Sequence, residues 1–228
     1  MDNEIILIDK PTGWTSFDVV AKIRGTIKHQ YLGRGEKPTK RQLKVGHAGT
    51  LDPFATGLLV ILRGEGTKRA DQFLKLDKTY RATFRLGKTS TTGDPEGETT
   101  DISADKPSLE AVQAALEAHT GQIEQTPPAY SAIKINGQRA YKLARRGETV
   151  EMPSRQVTIS RIDLISYDYP DLSVRASVSS GTYIRTLAED IGAYLKTGAY
   201  CSELRRETIG QFSIDQAMTV ADFVDSLQ

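Results

Sequence analysis

The sequence predicts an α+β fold. Segments of helical and of strand periodicity mix along 228 residues without the regular strand–helix alternation of a parallel doubly wound sheet. From Tyr80 the residues alternate with period two, Tyr80, Ala82, Phe84 and Leu86 on one face and Arg81, Thr83 and Arg85 on the other. Hydrophobic residues at 38% and charged residues at 26% match an ordinary globular chain long enough to bury a core.

The elements follow in order. Ile5 to Ile8 reads as a strand, and Thr15 or Ser16 caps a helix carrying Phe17, Val20, Ile23 and Ile27 at helical spacing. Residues 31–40, rich in Gly, Lys and Pro, read as a mobile basic loop. Leu58 to Leu62 is a buried strand, and Tyr80 opens the alternating one. Residues 89–107 are polar and acidic, hence a loop; Ser108 caps a helix with Leu109, Val112 and Leu116 on its buried face, closed by Gly121. Asn136-Gly137 marks a hairpin. A short basic helix over 139–146 stops at Gly147. Strands near 157–167 and 172–179 lead to a helix with Ile184, Leu187, Ile191 and Leu195 in register. A strand over 199–209 and a terminal helix over 220–227 complete the chain.

The start of the chain lacks a basic segment followed by an apolar run, and the longest apolar stretch, Leu58 to Leu62, is far too short to span a bilayer, so a cytoplasmic protein is expected. One cysteine, Cys201, excludes an internal disulfide framework, and three histidines make a Cys/His zinc site a poor fit. No phosphate-binding P-loop, dinucleotide fingerprint, serine elbow or H-E-x-x-H motif occurs. Chemistry is left to carboxylate, phenol, imidazole and guanidinium groups, with no cofactor and no metal. Net charge is +1, but residues 22–44 carry +7 and residues 130–155 carry +4, while residues 91–110 carry −5. That segregation fits either a polyanion-binding face or ordinary solvated surface.

Val45-Gly-His-Ala-Gly-Thr-Leu-Asp-Pro-Phe-Ala-Thr-Gly-Leu-Leu59 sets one aspartate, Asp52, among three glycines and a proline just before an apolar strand. Pro53 biases Asp52 away from helix, and by itself the pattern fits an Asx-type turn opening a strand. The stretch resembles the signature G-H-x-G-x-L-D-P-x-A-x-G-x-L of the bacterial tRNA pseudouridine-55 synthase (TruB) family, with every fixed position present. Asp9-Lys-Pro-Thr-Gly-Trp-Thr-Ser16 resembles the family's K-P-x-G-x-[ST]-S motif, and Asp77-Lys-Thr-Tyr80 its K-x-Y strand. Thr126-Pro-Pro-Ala-Tyr-Ser-Ala-Ile-Lys134, Gly181-Thr-Tyr-Ile-Arg185 and Leu204-Arg-Arg206 resemble three further family motifs, in family order.

The resemblance implies a pseudouridine synthase fold: a mixed, mostly antiparallel sheet with flanking helices and a central RNA-binding cleft. It implies one catalytic domain over residues 1–228, with a basic insertion near 31–40, a thumb-like segment near 125–155 and no C-terminal PUA domain. The implied reaction converts uridine to pseudouridine at position 55 in the T-loop of tRNA. Breaking the C1′–N1 bond and rejoining through C5 needs neither redox nor a group donor. By carry-over Asp52 acts on the ribose, as nucleophile at C1′ or base at C2′; Arg185 pairs with it and Tyr80 stacks on the uracil. Tyr183 and Leu204 complete the base pocket, Lys10 lies nearby, and His47, on the same loop as Asp52, fills the space left by the flipped base. Lys134, Arg145 and Arg146 of the thumb meet phosphate. Without the resemblance these residues read as a core tyrosine, a surface arginine, a solvated lysine and core packing. The expected partner is tRNA, through its T-loop and elbow, bound by a monomer without membrane or nucleotide cofactor. Two rival readings are an RNA chaperone without chemistry and a glycosidase. Asp52→Asn separates the first, and the second lacks a paired carboxylate.

Overall fold

The computed structural model describes residues 5–131, 133–135, 137–148 and 150–227. Along the chain the elements are β1 (Ile5–Lys10), α1 (Ser16–Gly33), β2 (Val45–Ala48), β3 (Thr56–Arg63), α2 (Ala70–Leu74) and β4 (Lys78–Leu86). Then come β5 (Lys88–Ser90), β6 (Thr99–Asp101), α3 (Leu109–Ala118), β7 (Gly121–Gln125), β8 (Lys134–Ile135), β9 (Gln138–Arg139) and α4 (Ala140–Ala144). The last are β10 (Arg155–Asp168), β11 (Asp171–Val178), α5 (Ile184–Tyr194), β12 (Ala199–Ile209), β13 (Phe212–Ser213), β14 (Met218–Thr219) and α6 (Val220–Asp225). They form two compact units, residues 1–80 with 205–228 and residues 81–204. None of the described helices is long and apolar enough to cross a membrane.

In the first unit β3 is the central strand. It pairs antiparallel with β1 and β2, and parallel with β12 at Arg205↔Thr56 and Arg206↔Gly57. Both faces of β3 are covered, which is why its sequence is an unbroken apolar run. Leu59 and Ile61 pack with Val19, Val20, Ile23 and Ile27 of α1 and with Val220 and Phe223 of α6, whereas Leu58, Val60 and Leu62 pack with Phe73 and Ile209. A capping box fixes the start of α1: the Thr15 hydroxyl accepts from the Asp18 N–H, and the Asp18 carboxylate accepts from the Thr15 N–H. The buried stripe of α1 runs through Ser16, Val19, Val20, Ile23 and Ile27. It leaves Phe17 at its edge and 62% exposed, contrary to the buried role its spacing predicts. The helix also runs to Gly33, so the basic loop starts later than the composition of residues 31–40 implies.

In the second unit the strand order is β12-β4-β11-β10-β7. β10 pairs antiparallel with both β11 and β7, and α3 packs on β10 through Val112, Ala115 and Leu116. Ser108 caps α3 as predicted, but Leu109, at its first turn, is exposed. The helix ends at Ala118, and Gly121, at φ +102°, begins β7, a strand the sequence does not announce. Alternation in β4 is as read, with Tyr80, Ala82, Phe84 and Leu86 buried. The acidic stretch 89–107 is not simply a loop. β5 and β6 pair within it, and the turn between them buries Asp94. β8 and β9 form the expected hairpin with Gly137 at φ +82°; Asn136 itself lies outside the described residues.

Candidate active site

Asp52 stands in a turn whose main chain is held by side chains from two stretches of the first unit. The turn closes on itself through Ala55 N–H donating to the Asp52 carbonyl at 3.1 Å. Upstream, Arg206, only 1% exposed, donates from Nη2 to the Gly49 carbonyl at 3.0 Å and from Nη1 to Thr50 at 3.5 Å, while its Nε reaches past the turn to the Leu58 carbonyl at 2.7 Å. Downstream, Lys10 Nζ donates to the carbonyls of Pro11, Trp14 and Pro53 at 2.8, 2.7 and 3.3 Å. The Gly13 N–H also reaches the Pro53 carbonyl, at 2.8 Å, and the Thr12 hydroxyl reaches Phe54 at 3.2 Å. Lys10 is fully buried, so the solvated reading of that lysine is wrong: three carbonyls replace its water. Ser16 exchanges two bonds with Leu51, accepting from its N–H at 2.8 Å and donating to its carbonyl at 3.1 Å. The K-P-x-G-x-[ST]-S segment is therefore a clamp on the Leu51–Phe54 turn, a connection that spacing alone could not reveal.

Gly57 makes the close approach of Arg206 possible. At φ +102° it lies in the left-handed region, and a Cβ there would stand 2.4 Å from the Arg206 carbonyl oxygen. Arg205, beside it, forms a two-bond pair with Asp9 at 3.1 and 2.7 Å. His47 lies on β2, opposite Ile61, and not on the loop the sequence implied; the strand ends at Ala48, before the Asp52 turn begins. Tyr80 is 9% exposed at the start of β4. Two residues earlier Lys78 is buried, donating to the carbonyls of Leu74 at 2.7 Å and of Leu76. Burial pushes its pKa down to about 8, the neighbouring Arg206 charge pushes the same way, and Asp77 opposes them.

In the second unit Arg185 is the second residue of α5, at the helix end where a cation needs a compensating anion. Asp94 supplies one. Its Oδ2 accepts from Arg185 Nη1 at 3.1 Å, and both side chains are 4% exposed. The other carboxylate oxygen accepts from the Thr92 hydroxyl at 2.5 Å and the Glu96 N–H at 3.0 Å. Arg185 also donates to the Thr92 carbonyl at 2.7 Å and to the Tyr130 carbonyl at 2.8 Å, tying α5 to the first residues of the thumb-like segment. Sequence reading places Asp94 in a solvated acidic loop and misses this role. Beside Asp94, Gly93 sits at φ +71°, where a Cβ would stand 2.7 Å from a Glu189 oxygen. Glu189 and Asp190 both have raised pKa values, chiefly through burial. Tyr183 is fixed by Gln125, which accepts from its N–H at 2.8 Å and donates to its carbonyl at 3.0 Å, while Arg155 lies 5.1 Å over its ring. Leu204 is 9% exposed on β12. Of the predicted thumb residues, Lys134 is exposed on β8, Arg145 lies 5.7 Å from the Tyr141 ring, and Arg146 meets Glu148 at 3.7 Å.

Residues 37–184 match the family described as "TruB family pseudouridylate synthase (N terminal domain)", and residues 185–228 match "tRNA pseudouridylate synthase B C-terminal domain". The chain is 44% identical over 229 residues to "tRNA pseudouridine synthase B" of Thermobifida fusca, covering 96% of this chain and 74% of that one. It is 41% identical over 226 residues to the protein of the same name from Parabacteroides distasonis, covering 99% and 93%. Among solved structures, "Crystal Structure of a Cbf5-Nop10-Gar1 Complex" superposes with a TM-score of 0.72 at 30% identity, over 97% of this chain and 53% of that one. "Structure of H/ACA RNP bound to a substrate RNA containing 2'-deoxyuridine" gives 0.69 at 27%, over 97% and 52%. The mixed, largely antiparallel sheet with flanking helices is thus the fold of the pseudouridine synthases, and the chain belongs to the TruB family of these isomerases.

Proposed function

We propose that the protein isomerises uridine to pseudouridine at position 55 in the T-loop of tRNA, with Asp52 as the reacting carboxylate. The observation that carries the reading is the Asp52 turn, a carboxylate on a main chain pinned by Lys10, Ser16 and Arg206 within a fully matched family signature. Such fixed presentation suits a group that must meet a sugar carbon or its hydrogen in one orientation. The relatives' name, tRNA pseudouridine synthase B, supports tRNA as the substrate. The related assembly solved bound to a substrate RNA containing 2'-deoxyuridine supports RNA as the substrate class.

In this reading Arg185 is the cation that holds Asp52 charged during reaction. Tyr80 stacks on the detached uracil, Tyr183 and Leu204 wall the base, and His47 occupies the place of the everted nucleotide. Lys134, Arg145 and Arg146 contact phosphate, as does the basic stretch 34–44 that follows α1. No electron acceptor or group donor enters the balance, because the base that leaves C1′ is the one that returns. The decisive experiment is tritium release from tRNA transcripts labelled at uracil C5, wild type beside Asp52→Asn. The wild type should release tritium from position 55 alone, and Asp52→Asn should bind the transcript while releasing none. Release by Asp52→Asn at the wild-type rate would remove Asp52 from the chemistry.

A further inference from the structure

We infer that Ser16 is a positioning residue for Asp52: its hydroxyl, at the start of α1, fixes the main chain of Leu51 and through it the aim of the carboxylate. The inference rests on the proposed role of Asp52 and extends it to a side chain that touches neither substrate nor the reacting atoms. Ser16 is 2% exposed, and its hydroxyl is not used to cap its own helix, since Thr15 and Asp18 complete the capping box without it. Both of its bonds cross 35 positions of sequence to Leu51, one accepted from the N–H at 2.8 Å and one donated to the carbonyl at 3.1 Å.

Both polar main-chain groups of Leu51, the residue before Asp52, are thus held by one atom. That atom stands on an 18-residue helix locked into the core by Val19, Val20, Ile23 and Ile27. The other anchors of the turn hold the residues on either side of Leu51 and Asp52. Arg206 holds Gly49 and Thr50; Lys10, Gly13 and Thr12 hold Pro53 and Phe54. Ser16 acts on the peptide that leads directly into Asp52. A reacting group displaced by about 1 Å loses on the order of a hundredfold in rate, and a functional side chain keeps its geometry only when its support stands on a rigid element. An alanine at position 16 keeps the helix start and the packing but frees both groups of Leu51.

The test is single-turnover tritium release with enzyme in excess over C5-labelled tRNA, for wild type and Ser16→Ala. The rate constant of Ser16→Ala should fall about tenfold to a hundredfold. The amplitude should stay full and the Kd for tRNA should stay within about twofold of wild type. A wild-type rate constant in Ser16→Ala, with only the amplitude or the melting temperature reduced, would mean that the hydroxyl merely supports folding, and the inference falls. Should the alanine protein be insoluble, Ser16→Cys keeps the side-chain size while weakening both bonds, and is read in the same way. An inert wild type removes the isomerase reading and the Ser16 role with it. An active wild type with an equally fast Ser16→Ala removes the Ser16 role alone.

Discussion

Lys78 and Arg206 are two buried cations whose hydrogen bonds end on main-chain carbonyls, and the charge of Arg206 disfavours that of Lys78. Lys78 titrates at about 8 in the folded chain against 10.5 in the unfolded one. Between those values the unfolded chain keeps a proton that the folded chain has shed, so stability rises with pH across that window. Below about 8 both states are protonated and the cost of burying the ammonium is present in full. Urea midpoints followed from pH 8 to 10.5 should therefore climb more steeply for wild type than for Lys78→Met. In the second unit Asp94→Ala deletes the buried anion beside Arg185 and should destabilise the protein by about 3–5 kcal/mol in the same measurement. Asp94 also shows where sequence reading stops at this scale. Among Glu96, Glu98 and Asp101 it looks like one more solvated acid; only the fold brings it to an arginine 91 positions away.

Elements with strong local periodicity are legible in the sequence. The stripe of α1, the caps Thr15 and Ser108, the alternation of β4 and the apolar run of β3 all follow from nearest-neighbour spacing. Elements defined by their partners are not. β2 is a strand because β3 lies beside it, β7 because β10 does, and β5 and β6 only because they face each other. Hence sequence reading assigns His47 to a loop although its backbone is in a ladder. Glycines separate the two kinds of constraint. Gly57→Ala would drive a Cβ into the β12 backbone from a left-handed conformation, and should cost about 3 kcal/mol or more. Gly25, inside α1 with open space for at least 4 Å around the place a methyl group would take, should accept alanine with a gain of about 0.5–1 kcal/mol. Thermal unfolding of the two variants, side by side, checks both signs.

At the scale of the whole molecule charge is segregated although the net is only +1. Residues 22–44 and 130–155 hold the positive excess, and Lys134, Arg145 and Arg146 project from the second of them. Each phosphate neutralised releases counterions, so affinity for tRNA should fall steeply with salt. Replacing Lys134, Arg145 and Arg146 by glutamine should flatten the plot of log Kd against log salt by about 2. The value falls below the charge count because each neutralised phosphate contributes less than one unit of slope.

The chain leaves its first unit after residue 80 and re-enters it at residue 205. Val220 and Phe223 complete the same core as α1 and β1, and β12 supplies the parallel neighbour of β3. A ribosome making this protein emits the Asp52 turn early but the arginine that braces it near the end, on the order of ten seconds later at ordinary elongation speeds. In that interval β3 lacks its parallel neighbour β12, and the core built on α1 and β1 lacks Val220 and Phe223. Ribosome-bound fragments stopped before residue 205 should be cut readily by protease within residues 1–80, and full-length chains should resist.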